Sequence, residues 1–345
     1  MAYTDIDKPS DYFETVLYAG NSGTKSITSL DFQPDWCWFK ARNNTDTHGV
    51  FDSVRGVTKR IIPNNDTAEG TQSNGLTHFL SNGFTVGDAG IVNQGYNYVS
   101  WNWKAGTSFT NDASSTSVGS RDSAGTISTT AGISIMGWSG DNGADTLAHG
   151  LGVAPKWYIL KSRGQDGNWI VYHHSLGAAA WIELDATDAK STSGSQYRFN
   201  DTAPTSTVFS VGATGAANDD EGMIAYIFAE KQGFSKFGKY TGNGDADGTF
   251  VHLGFKPAWV MTKCTSNSGT GWHMQDNKRD GFNYNNHRLF SDTNAAEETT
   301  VRMDLLSNGF KYRDGNGNAS GREFIYMAFA ESPFVTSTGV PTTAR

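Results

Sequence analysis

The sequence predicts an all-β protein built as three tandem β-sandwich repeats, and three observations predict it. Glycine makes up 40 of 345 residues and aromatics 12%, a composition that suits many short strands joined by tight turns. A Pro-x-Trp element with lysine six positions after the proline occurs three times. No segment sustains the 3.6-residue apolar period of a helix.

The three copies read Phe32-Gln-Pro34-Asp-Trp36-Cys-Trp38-Phe-Lys40, Val153-Ala-Pro155-Lys-Trp157-Tyr-Ile-Leu-Lys161 and Phe255-Lys-Pro257-Ala-Trp259-Val-Met-Thr-Lys263. Pro34 sits at a strand entrance, where a missing N–H does least harm. A glycine turn precedes each copy: Tyr18 to Gly23, Trp138 to Gly143 and Tyr240 to Gly244. An aromatic closing strand follows, ending at Trp103, Phe228 and Phe329; these lie 69, 73 and 72 positions after the proline. Leu80-Ser-Asn-Gly-Phe84 and Leu306-Ser-Asn-Gly-Phe310 carry hairpin-turn dipeptides, whereas the second copy has diverged to Val208–Val211 there. The only helix-like pieces are Ser175 to Ala180 and Asn294 to Thr299.

These signals divide the chain into an arm (1–16), three sandwich repeats (17–106, 131–236 and 237–334), a Ser/Thr/Gly-rich segment (107–130) and a tail (335–345). Segment 107–130 reads as an extended linker, or as an exposed loop plus an edge strand. The arm and tail are too short and polar to bury much by themselves, so each is expected to order only by docking on something else. Tyr12, Phe13 and Phe334 are the apolar anchors near these ends and the candidate assembly contacts.

Several classes are excluded. A net charge of −8 argues against a nucleic-acid partner, which needs a basic face. No apolar run approaches the ~20 residues that span a membrane, and the polar first ten residues lack the core of a signal peptide. Cys37 and Cys264 are too few for a disulfide framework or a zinc site.

Signals of chemistry are weak. Gly20-Asn-Ser-Gly-Thr-Lys25-Ser26 fails the spacing of a phosphate loop and reads as a hairpin. His173-His174-Ser175 puts a base beside a hydroxyl, with Asp185 and Asp188 downstream, but lacks a nucleophile elbow. The acids Asp219-Asp220-Glu221 and Glu297-Glu298 read as solvated runs rather than a glycosidase pair. Asp245, Asp247 and Asp314 offer alternating oxygen donors in glycine turns, which read as plain turns or, alternatively, as calcium loops; no other cofactor is expected. Trp36/Trp38 and Trp101/Trp103 lie on common strand faces and read as core. Trp169, Trp181 and Trp272 lie near polar loops and are the candidates for exposure, where a flat ring can stack on sugar.

The opening Ile6-Asp-Lys-Pro-Ser-Asp-Tyr-Phe13, the Gly254 to Lys263 element and the closing Tyr326-Met-Ala-Phe-Ala-Glu-Ser-Pro-Phe334 resemble a family of tailed-bacteriophage virion proteins of marine type. The likeness runs from Ile6 to the Ala-Arg ending; Trp36-Cys37-Trp38 and Gly152-Val153 depart from the pattern. It implies jelly-roll or lectin-like sandwiches, no catalytic residues and a place on the particle surface after synthesis in the host cytoplasm. Two functions then compete: a tail-fibre or adhesin-type component contacting host glycans, and a capsid decoration or tail adaptor protein with no ligand. A polysaccharide depolymerase is a third. Partners would be other virion proteins, sister subunits in a homo-oligomer and host glycan. The first repeat begins early and no heptads mark a stalk, which suits a compact appended protein.

Overall fold

The computed structural model describes residues 2–342, and within them the chain is all-β with antiparallel sheets. Three large sheets follow one another along the sequence. The first orders its strands Phe13–Ala19, Asn97–Trp103, Trp36–Ala41, Gly49–Asp52. The third runs Ser235–Thr241, Glu323–Pro333, Phe255–Cys264, His273–Asp276, Leu289–Phe290. The second has the same middle, Ile133–Trp138, Met223–Phe228, Trp157–Ser162, Ile170–His173, and is extended at both edges.

Register matches as well as order. Trp36 lies opposite Trp103, Trp157 opposite Phe228 and Trp259 opposite Phe329. The two-residue period of a strand then sends alternate side chains to opposite faces. Trp36, Trp38, Trp157, Ile159, Trp259 and Met261 enter one core shared by all three sheets. Cys37, Tyr158 and Val260 point the other way, each into a separate core.

Each separate core is closed by a small sheet. Lys25–Ile27, Gly83–Val86 and Leu76–Leu80 cover the first large sheet, and Phe250–His252, Gly309–Tyr312 and Met303–Leu306 cover the third. Asp145–Ala148 and Val208–Val211 cover the second. The hairpins expected at Asn82-Gly83 and Asn308-Gly309 form, but Ser81-Asn82 and Ser307-Asn308 are the turn residues. The glycines serve close approach instead: a Cβ on Gly83 would strike the Ile27 carbonyl, and one on Gly309 the Val251 carbonyl.

Several expectations are corrected. Residues 107–130 are not a linker: Thr107–Asn111 and Ser123–Ser128 are strands that extend the second sheet beside Ile133–Trp138. The first sheet begins at Phe13, inside the expected arm. Ser175 to Ala180 and Asn294 to Thr299 contain no helix; the short helices are Gly90–Asn93, Ala113–Thr116, Gln196–Phe199 and Gly215–Asn218. The arm does dock, but on this chain: Ile6 enters the shared core and the Tyr3 hydroxyl donates to the Gly254 carbonyl at 2.5 Å. The Ala-Arg ending lies outside the described residues.

Candidate functional site at the sheet junctions

The sheets meet through three junctions built from matched residues. The Trp169 indole N–H donates to the Ile62 carbonyl (2.9 Å), joining second sheet to first. The Trp272 N–H donates to the Glu183 carbonyl (2.8 Å), joining third to second. His48 Nε2 meets the Thr293 carbonyl (3.1 Å), joining first to third. The contacts therefore close into a ring. Backbone bonds repeat the cycle: the N–H groups of Glu69, Lys190 and Glu297 donate to the carbonyls of Arg163, Thr265 and Arg42.

The repeated lysines belong to the same junctions. Lys161 Nζ donates to the Asp66 carbonyl, Lys263 Nζ to those of Thr187 and Thr270, and Lys40 Nζ to those of Ala41 and Asn44. All three are buried, and that burial pushes each ammonium down to about 8. They cap loop carbonyls that burial would otherwise leave unpaired.

Two junctions carry a buried Asp-Arg pair. Asp52 Oδ2 accepts from Arg55 Nε (2.6 Å) and from the Tyr226 hydroxyl of the second sheet (2.6 Å). Asp276 Oδ2 accepts from Arg279 Nε (2.6 Å) and from the Trp101 N–H of the first sheet (3.0 Å). Glu69 bridges Arg55 and Arg163, and Glu297 bridges Arg279 and Arg42. At the remaining junction His173 takes the aspartate's place opposite Trp157, and the position matched to Tyr226 and Trp101 is Met327. Burial holds the His173 imidazole down at about 3, so it sits there uncharged. An uncharged ring against an apolar counterpart replaces a charged pair against a donor.

These positions decide what the sequence candidates do. Trp169 and Trp272 are 1% and 0% exposed, so the expectation of exposed stacking rings is corrected there: both are junction residues. Trp181 is partly exposed, with the Arg198 guanidinium 4.7 Å from its ring and its N–H on the Ser193 carbonyl. Asp247 accepts from Lys311 and Arg313, Asp245 from the Asp247 N–H, and Asp314 from the N–H groups of Arg302 and Asn316. Among the described residues no three metal-ligating side chains cluster. Phe13 is buried against Trp103 and Phe329, so it is not free for assembly contacts; Tyr12 packs on Phe234 and is half-buried, and Phe334 stays 40% exposed. The His174 ring bonds the Phe237 carbonyl, and Ser175 Oγ lies 3.3 Å from it. Glu297 is no solvated acid but the buried partner of two arginines, and Glu298 pairs with Arg288.

Sequence reasoning missed Glu69, His48 and three buried asparagines, Asn93, Asn218 and Asn318. Each asparagine plugs the glycine turn of its own sheet: Asn93 bonds Asn21 and Gly23, Asn218 bonds Gly143 and Asp145, and Asn318 bonds Asn243 and Asp245. A signal existed, since each lies just before the closing strand.

A groove of about 410 Å³ flanks the junction of the first and third sheets, walled by Phe13 to Thr15 on one side and by Asn277 to Asn283 on the other. Four of its charged groups pair with one another, Lys278 with Glu14 at 3.4 Å and Lys256 with Glu331 at 2.9 Å, while Asp280 accepts from the Asn286 N–H. Burial raises the Glu14 carboxyl above its ordinary value despite Lys278. On the rim Phe282 is 82% exposed; Tyr284, two positions on, lines a separate hollow and is half exposed under the Arg302 guanidinium. The family described as a domain of unknown function (DUF7483) matches residues 8–333. No curated protein matches the chain.

Proposed function

We propose that this chain, which belongs to the DUF7483 family, is a structural protein of the tailed-bacteriophage particle surface. It is a rigid body of three tandem β-sandwich repeats, has no catalytic site and attaches to other virion proteins. The observation that carries this reading is the use made of the buried charged groups: Glu69 and Glu297 pair with Arg163 and Arg42 of a neighbouring sheet, Asp52 and Asp276 accept from Tyr226 and Trp101 across a junction, and Lys161 and Lys263 cap carbonyls of the neighbouring repeat. An active site keeps perturbed groups in a cleft for chemistry; here the lowered lysines Lys161 and Lys263 lie in junctions and hold loop carbonyls. The likeness of Ile6 to Phe13 and Tyr326 to Phe334 to marine-phage virion proteins supports the location.

A second reading, contact with host glycans, is favoured by the exposed Phe282 at the groove rim. The flat ring of Phe282 beside Asn283 and Asp280 offers a stacking face and polar partners. Many copies on one particle would multiply a weak contact.

Mass spectrometry and immunogold labelling of gradient-purified particles test the location. The chain is expected at stoichiometric amounts on the particle surface; its absence from intact particles overturns the proposal. Glycan-array binding that is lost in Phe282→Ala selects the adhesin form, and no binding selects the decoration form.

A further inference from the structure

The strand beside the closing strand of each large sheet, Phe13–Ala19, Ile133–Trp138 or Ser235–Thr241, lies in the same register: Thr15 opposite Trp101, Ile135 opposite Tyr226 and Phe237 opposite Met327. Neighbouring bonds fix which way the backbone points. The N–H groups of Lys104, Ala229 and Ala330 donate to the carbonyls of Tyr12, Gly132 and Phe234. Hydrogen-bonded and non-bonded pairs alternate in an antiparallel ladder. Thr15, Ile135 and Phe237 therefore all turn their N–H and C=O outward, away from their own sheets.

Each sheet treats this outward edge differently. Ile135 pairs with Thr126 of Ser123–Ser128. Phe237 is capped by side chains: its N–H donates to Glu230 Oε2 at 3.3 Å, and its carbonyl accepts from His174 Nε2 at 3.0 Å. For Thr15 neither the N–H nor the carbonyl finds a partner among the described residues. Its hydroxyl is also buried without one, although the residue is only 2% exposed and lines the groove. Buried backbone groups are nearly always paired.

We propose that the edge of Phe13–Ala19 accepts an extended peptide strand from another polypeptide, antiparallel, along the groove between the first and third sheets. The second sheet shows the chemistry such a strand needs. Its added strand, Ser123 to Ser128, is uncharged and small apart from Ile127, and a Cβ at Gly125 would collide with the Ile135 carbonyl. Lys256 and Lys278 are already paired with Glu331 and Glu14, and Asp280 accepts from the Asn286 N–H, so main-chain hydrogen bonds supply the affinity and small side chains fit the walls. The inference concerns the backbone edge and does not rest on a virion location.

Amide hydrogen exchange on the full chain tests it, with a synthetic peptide reproducing residues 121–130 as the probe and its proline-substituted form (proline at the position of Thr126) as control. Saturating peptide is expected to slow exchange at Thr15 and Leu17 by at least about tenfold, and the control to leave both unchanged. Thr15→Pro should fold, because the lost N–H points outward, and should lose the peptide effect. Three results overturn the proposal: no change with the peptide, the same effect from the control or in Thr15→Pro, and protection that grows with protein concentration alone, which would make a second copy the occupant.

Discussion

Replacing Trp272 by alanine separates a junction residue from a surface ring. The side chain is fully buried, its ring lies edge-on to Trp157 at 5.7 Å between centroids, and its N–H reaches Glu183 across the junction. Removing a buried tryptophan leaves a cavity worth about 3–5 kcal/mol. The Glu183 carbonyl also loses its indole donor, at about 1–3 kcal/mol. Trp272→Phe keeps most of the packing and loses the donor, so it should cost about 1–3 kcal/mol. Equilibrium urea unfolding followed by far-UV circular dichroism reads both values. A Trp272→Ala cost within about 0.5 kcal/mol, the range of ordinary surface substitutions, would refute the junction role and restore the ring as a stacking platform.

Two further outcomes follow from the junctions. Asp276→Ala strips the buried Arg279 of its nearest carboxylate and should cost about 3–5 kcal/mol in the same assay, whereas Asp314→Ala, in an exposed turn, should cost far less; equal costs contradict the buried pair. The lysines give a pH signature: their folded values near 8 lie below the ordinary 10.5, so between these values the unfolded chain binds more protons and stability rises with pH, by up to about 1.4 kcal/mol per pH unit per lysine. Melting temperature should therefore climb from pH 8 to 9.5, and a falling curve contradicts their burial. On the acid side burial holds His48 and His173 near 3, so stability drains as pH falls below 6.5; Asp185, raised by burial to about 7, opposes this only in part.

The repeated Trp strands were legible because a period of two and a recurring Pro-x-Trp-to-Lys spacing are local properties. Trp36, Trp157 and Trp259 fall opposite Trp103, Phe228 and Phe329 for that reason. The junctions were not legible. Trp169 and Trp272 sit beside polar loops in sequence, and what buries them is the neighbouring sheet. Glu297 looks solvated beside Glu298, and only closure of the ring brings Arg42 to it from 255 positions away. Segment 107–130 has the small-residue composition of a linker, and the same composition suits a strand laid against a close neighbour.

The claim that the three sheets form one body closed through their junctions is tested most directly by native-state hydrogen exchange. The ring predicts that amides of Trp36–Ala41, Trp157–Ser162 and Phe255–Cys264 exchange through one global opening, with a common free energy and a common denaturant dependence. Exchange of Phe255–Cys264 through a smaller opening, with the other two strands still protected, would contradict it.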